Sequence, residues 1–340
     1  MNYSLSGRRR SVLLTSLFTV VVAGSAIAAP KYESGSLTFS QPNASTWKAV
    51  TFTTAFPSAP VVVLGSSTNA DAAGFAARVR NVTATGFEYQ IDEWDYLDGI
   101  HGQESLNYLA IEPGTHTIDG KTWQAGRTTG VTRTLQTVAL GTGFSAAPVV
   151  LAQVESTANA KAVTSRVQAV TTSNFQLKAI TQESDTAALS NESVGWIAIA
   201  PSTGALDGAG FQAAKTGANV TDAWKTITFG STLKQPLFFA QSQTANGVDP
   251  FVIRRRNLSG TGVEIFLQEE QSAGTETVHG NAEDVGFLAI GETQGEVRSK
   301  LELGELVQAQ ATAGTWHTAN FSVSYTNPVV VFGPSTENDS

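Results

Sequence analysis

A segment of about 90 residues recurs along this chain, and that repetition restricts the fold more than any other feature. Residues 47–52 read WKAVTF, 224–229 read WKTITF and 316–321 read WHTANF, with a weaker relative, LQTVAL, at 135–140. In chain order the four copies begin 88, 89 and 92 residues apart. Each is followed 12 or 13 residues later by a proline that opens an apolar run, at Pro60, Pro148, Pro236 and Pro328. Arg78, Arg166 and Arg254 each lie 18 residues beyond their proline, and Phe87, Phe175 and Val263 each lie 9 beyond that arginine. The three full copies close on YLAI at 108–111, WIAI at 196–199 and FLAI at 287–290. Four landmarks at near-constant spacing mark one structural unit used repeatedly.

The unit reads as β-structure. Phe87, Tyr89 and Ile91 alternate with Glu88, Gln90 and Asp92, and Val263, Ile265 and Leu267 do likewise, which is the period of a half-buried strand. The continuous run at 61–64 suits a strand buried on both faces, at the centre of a sandwich. Asp119-Gly120 and Asp207-Gly208 are hairpin-turn signals at the joints between units. The expected architecture is all-β, a tandem series of antiparallel β-sandwich modules. Repeat one occupies 29–122, repeat two 123–210, repeat three 211–306, and a partial fourth 307–340. The partial copy is expected to be a truncated unit or a strand that adds to a neighbour. Residues 296–305 alone have the composition of a helix.

Residues 1–28 precede the repeats and have the pattern of a secretory signal. Arg8, Arg9 and Arg10 are followed by an apolar stretch at 12–24 and by Ala26-Ile27-Ala28, a small-x-small cleavage site. About 13 apolar residues cannot span roughly 30 Å of hydrocarbon, so export rather than a membrane span is expected, by the general or the twin-arginine route. Removal of that segment takes three positive charges from a total of −8, leaving −11. An acidic surface disfavours nucleic acid and anionic membranes as partners. The chain contains no cysteine, which excludes disulfides, thiolate metal sites and cysteine nucleophiles.

At this point the landmarks resemble the H-type lectins. That family's pieces correspond to Trp47, Pro60-Val61-Val62, Ala77-Arg78-Val79, Thr85-Gly86-Phe87, Trp94 and the closing strand at 108–111. The resemblance implies a six-stranded antiparallel β-sandwich that assembles in threes. It also implies a shallow site for a sugar, typically N-acetylgalactosamine, between adjacent units. An Arg and a Trp-His pair serve that site; Arg78 and Trp94 match, whereas Asp95 stands where the family has His. The second copy has Gln182 and Glu183 there, the third Glu270 and Gln271. Three complete copies in one chain imply an intrachain pseudo-trimer, with beads on a string as the competing arrangement.

Sugar sites pair an aromatic plate with carboxylates, amides and guanidinium groups. Trp94, Glu93, Asp95, His101 and Glu104 supply that chemistry in copy one, with Arg78. Arg166 and Glu183, then Arg254 and Glu270, are the counterparts in copies two and three. Each group also has a structural reading: Trp94 as a core cap, and the recurrent arginines as ion-pair partners of the loop acids between strands or modules. Glu93, Asp95 and Glu104 stand at positions 1, 3 and 12 of an EF-hand loop, but Leu97 and Asp98 break that motif. A Ca²⁺ site of another kind stays open, and no other cofactor is expected. No motif specifies catalysis. The reading is a secreted carbohydrate-binding protein with glycans or polysaccharide as partner; the alternative is a structural or adhesive cell-surface array.

Overall fold

The computed structural model describes residues 32–206 and 208–292. The expected signal peptide (1–28), the helix at 296–305 and the partial copy at 307–340 lie outside them. The first unit runs through β1 (Tyr32–Gln41), β2 (Lys48–Thr51), β3 (Val61–Leu64), β4 (Ser67–Thr68), β5 (Phe75–Thr83), β6 (Gly86–Glu93) and β7 (His101–Ile111). The second comprises β8 (Gly114–Ile118), β9 (Lys121–Val131), β10 (Gln136–Ala139), β11 (Val149–Val154), β12 (Thr164–Gln168), β13 (Asn174–Ile180) and β14 (Glu192–Ile199). The third comprises β15 (Ser202–Leu206), β16 (Ala209–Val220), β17 (Lys225–Thr228), β18 (Lys234–Ser242), β19 (Phe251–Ser259), β20 (Gly262–Glu269) and β21 (Glu283–Glu292). The described residues contain no helix.

Each unit is an antiparallel sandwich of six strands. An outer sheet, β2-β6-β5 in the first, faces an inner sheet, β1-β7-β3; the second pairs β10-β13-β12 with β9, β14 and β11, and the third β17-β20-β19 with β16, β21 and β18. β8 and β15, which the sequence reading assigns to the ends of the first and second repeats, pair instead with the unit that follows. Asp119 and Gly120 turn between β8 and β9 with φ of 47° and 70°, the left-handed pair a tight hairpin requires.

The apolar runs are buried on both faces, for a reason that goes beyond a single sandwich. Val62 packs into the core of its own sandwich with Phe75, Val79 and Phe87. Val61 and Val63 point the other way, into a central cluster with Val149 and Leu151 of the second unit and Phe239 of the third. The closing strands divide in the same manner: Leu109, Ile197 and Leu288 face the centre, while Ala110, Ala198 and Ala289 face their own cores. A fully buried side chain of this size contributes roughly 1.5–3 kcal/mol, so the shared cluster is a major source of stability for a chain without disulfides.

β3, β11 and β18 are edge strands, and each receives a hydrogen-bond acceptor from another unit. Val62 N donates to Glu155 Oε1 at 2.7 Å, Val150 N to Gln243 Oε1 at 2.9 Å, and Phe238 N to Asn107 Oδ1 at 2.9 Å. The three donors lie two residues after their prolines, but the acceptors are not equivalent. Glu155 and Gln243 lie seven residues after theirs, where the first copy has Ser67. Serine is too short for that reach, and Asn107 on the neighbouring strand replaces it. The positions matching Asn107 are Gly195 and Gly286. A Cβ on Gly195 would lie 2.6 Å from the Glu155 carboxyl carbon, and one on Gly286 2.8 Å from the Gln243 carboxamide carbon. Long acceptor with glycine, or serine with asparagine, fills the same space.

That exchange can be transplanted. Gly195→Asn alone should collide with Glu155 and lower stability by about 2–4 kcal/mol in denaturant unfolding, from overpacking and a disturbed hydrogen bond. Adding Glu155→Ser recreates the pair of the first copy and should recover at least half of the loss. A double variant no more stable than the single one would reject the compensation.

Candidate functional site

The seams between units collect the polar residues singled out in the sequence. Arg78 is 1% exposed; it donates to Asp92 at 2.9 Å within its unit and to the Ser156 and Lys161 carbonyls of the second. Arg166 donates to the Asp249 carbonyl of the third unit at 2.9 Å and stacks 4.1 Å from the Phe251 ring. Arg254 returns to the first unit, donating to the Thr68, Asp71 and Ala73 carbonyls and to Glu104 at 2.6 Å. The third unit also pairs its backbone with the first, because β4 lies parallel to β19 with Arg254 opposite Ser67. Unit one thus reaches two, two reaches three, and three reaches one.

The recurrent glutamates are the other half of these seams. Glu104 accepts from Ala70 N and Asp71 N at 3.0 Å, besides Arg254. Glu192 accepts from Asn159 N at 3.0 Å and lies 3.7 Å from Arg78; Glu283 accepts from Gly247 N at 2.9 Å and lies 3.8 Å from Arg166. Each buried carboxylate therefore fixes the loop of its own unit while it faces an arginine of the preceding one.

Two seams carry a buried histidine. His101 Nδ1 meets Glu93 at 2.8 Å and Nε2 meets Glu104 at 3.4 Å; His279 bridges Glu269 and Glu283 in the same way. In the second unit Thr181 occupies the position of Glu93 and Glu269, and Leu189 lies in the core three residues before Glu192. Burial opposes the charged imidazole of His279, but its bonds to Glu269 and Glu283 outweigh that and raise it to about 9. Glu283 is lowered to about 2 against its own burial, chiefly by His279 and Thr244.

Eight of the ten residues expected at a sugar site are buried: Arg78, Glu93, Trp94, His101, Glu104, Arg166, Arg254 and Glu270. The reason is the seam itself, which encloses them between units and takes up the carboxylates of Glu93 and Glu104 and most of the Arg254 guanidinium. Trp94 is 1% exposed and packs with Ala76 and Leu97 of its unit, Ala162 of the second and Val252 of the third. One indole fills the point where three sandwiches meet, and Gln182 and Glu270 hold the corresponding positions in the other copies. Asp95 is exposed and accepts from Ala162 N at 3.2 Å.

Glu183 borders an open cleft of about 230 Å³ where the second unit meets the third. Arg133, Lys178, Thr181 and Gln182 supply polar groups on one side, and Val248 and Pro250 an apolar face on the other. Glu183, Asp249 and Glu276 bring carboxylate oxygens within 4.8 Å of one another, a donor set suited to a hard cation such as Ca²⁺. Glu183 is held above the usual carboxylate range, by burial and then by Asp249. Arg133, Lys178 and Asp249 fall outside the repeat's landmarks, so the spacing argument passes over them.

The histidine bridges make stability depend on pH in a defined direction. His279 is raised, so its contribution is complete below pH 6.5 and is lost as pH rises through about 9. Glu283 is lowered, so its contribution is present above pH 4.5 and is lost as pH falls toward 2. His279→Leu should cost about 3–5 kcal/mol by leaving the buried Glu269 without its cation and Glu283 with Arg166 alone. Adding Glu269→Thr, which imitates the second unit, should restore part of that and flatten the alkaline limb of a melting-temperature profile. An unchanged alkaline limb in the double variant would remove His279 as its cause.

Halomucin of Haloquadratum walsbyi is similar to this chain, 28% identical over 219 residues, which cover 62% of this chain and 2% of halomucin. The chain therefore spans a small fraction of that relative's length. No solved structure matches it. Residues 47–111, from the strand-leading Trp47 to the end of β7, match the model of the H-type lectin domain.

Proposed function

We propose that this chain is a secreted carbohydrate-binding protein whose three H-type-lectin-like sandwiches form an intrachain pseudo-trimer. The single observation that carries the reading is the cleft between the second and third units. It combines guanidinium, ammonium, carboxamide and carboxylate groups with an apolar face, the combination that hydroxyls and the C–H face of a sugar require. The lectin domain at 47–111 supports the same class of ligand. The signal-like residues 8–28 support export. The proposed sugar site is Gln182, Glu183, Lys178 and Arg133, with the exposed Val248 as its apolar contact. Asp95 is the exposed group that would extend binding to the first seam.

The second reading, a structural or adhesive array without sugar binding, draws on the burial of Trp94, since its ring has no face left for stacking. A glycan-array screen of the chain from residue 29 onward distinguishes the two. The lectin reading expects selective binding that Lys178→Ala with Gln182→Ala weakens at least tenfold in calorimetry, while the melting temperature stays within a few degrees. Absence of binding to any glycan, or binding that survives both substitutions, would abandon the cleft. Trp94→Ala is expected to act through stability, by about 3–5 kcal/mol. Scattering should give one compact particle, with a radius of gyration of about 20 Å for a chain of this length.

A further inference from the structure

The second unit carries positive charge where its neighbours do not. β13 sets Lys178 opposite Arg166 of β12, so two cations face each other across the outer sheet. The matching pairs are Arg78↔Gln90 in the first unit and Arg254↔Phe266 in the third. Like charges directly opposite across two strands are destabilising. Carboxylates that could offset them are missing too, because Asp92 and Glu93 of the first unit match Ile180 and Thr181. Arg133 adds a third cation, at a position that is Ser45 in the first unit and Asp222 in the third.

Both arginines have a carboxylate of their own: Arg133 meets Asp185 at 2.9 Å, and Arg166 faces Glu283 at 3.8 Å. Lys178 differs. Among the described residues no carboxylate offsets it, and burial, then Arg166 and Arg133, hold its ammonium below the usual lysine range. Its counterparts are engaged in structure, since Gln90 donates to the Ala44 carbonyl at 2.7 Å and Phe266 packs 4.4 Å from the Trp224 ring. A lysine on an open face needs only water, but Lys178 is half-buried beside two guanidinium groups and lines the cleft between the second and third units. Glu183 lines the same cleft without neutralising it. Its carboxyl is held high by burial and by Asp249, Glu276 and Glu270. The cleft therefore holds an uncompensated cation and a separate group of crowded carboxyls.

We propose that this cleft selects acidic saccharides, with the carboxylate or sulfate of the sugar on Lys178 and its hydroxyls toward Gln182 and Glu183. The inference rests on the lectin reading of the cleft and narrows it to one class of ligand. An oxyanion on Lys178 accepts a charge-assisted hydrogen bond and relieves the repulsion among Lys178, Arg166 and Arg133. A neutral sugar does neither. The carboxyls around Glu183 set the orientation, because they repel an acidic group placed beside them and leave it the lysine.

The test is calorimetric titration of the chain from residue 29 onward with two matched pairs of probes. One pair is trigalacturonate and its neutral methyl ester; the other is galactose 6-sulfate and galactose. In at least one pair the charged member should bind about tenfold more tightly, with a preference that shrinks at high salt. A preference in the first pair assigns a carboxylate to Lys178, and one in the second pair a sulfate. Lys178→Gln should abolish the preference and Lys178→Arg should keep it. Lys178→Gln should also leave the melting temperature equal or higher, because it removes a like-charge pair. Equal affinity within both pairs would overturn the proposal and leave the cleft as a site for neutral sugars. A preference that survives Lys178→Gln, or a clear fall in melting temperature, would overturn it as well, the first by placing the anion elsewhere and the second by making Lys178 a structural cation of the seam. If no saccharide binds, charged or neutral, the lectin reading itself fails and this proposal falls with it.

Discussion

Each inner sheet of this protein has two apolar faces, and a single sandwich can cover only one of them. Val61, Val63, Leu109 and Ile111 would lie in water if the first unit stood alone, and Val149, Leu151, Ile197 and Ile199 would do so in the second. The three units therefore share one core besides their own. This accounts for stability without disulfides: modules of about 90 residues have small cores, and joining their inner sheets gives each strand a second buried face. It also accounts for runs such as Val61–Leu64, which in an isolated antiparallel sandwich would alternate with polar residues.

Apolar contact alone has little directional preference, so the seams must specify which unit meets which. The arginines and glutamates do this with bonds that run one way round, from one unit to the next. Their burial is expensive unless every hydrogen is placed, and Arg254 shows how that is met: three carbonyls and one carboxylate receive its guanidinium. The seams are similar without being identical. The first copy uses Ser67 and Asn107 where the others use Glu155 with Gly195 and Gln243 with Gly286. A homotrimer cannot make such differences, because all of its seams are encoded once. A covalent trio can vary each junction separately, and such variation favours one order of packing over the exchanged alternatives.

The repeat, the strand positions and the sandwich class were legible because they depend on local periodicity and on spacing along the chain. The alternation at 87–92 lies on β6, and the closing motif at 108–111 ends β7. The roles of the polar residues were harder to read, since a buried arginine in a seam and an exposed arginine in a sugar site carry the same letter. Trp94 is the clearest instance. Its place among Asp92, Glu93, Asp95 and Tyr96 suggests a loop plate, but its ring belongs to contacts with Ala162 and Val252, 68 and 158 residues further along the chain. One signal was available and informative: when Gln182 and Glu270 replace Trp94 while every other landmark persists, the aromatic serves the assembly once rather than each module separately.

This arrangement also affects where a ligand can bind. Groups that link neighbouring units are enclosed in the seams, and Arg78, Arg166 and Arg254 are buried away from a sugar. Ligand chemistry is then confined to parts of a seam that the linking bonds do not reach. The cleft beside Glu183 is such a place: Val248 and Pro250 come from one unit, and Lys178 and Gln182 from another. Under the proposed lectin reading, a site built from two units depends on the seam between them, so whatever loosens that seam also weakens binding. The buried Glu269–His279–Glu283 bridge lies in the unit that supplies the apolar wall, and Glu283 faces Arg166 of the opposing one. Protonation there therefore bears on the stability of this seam.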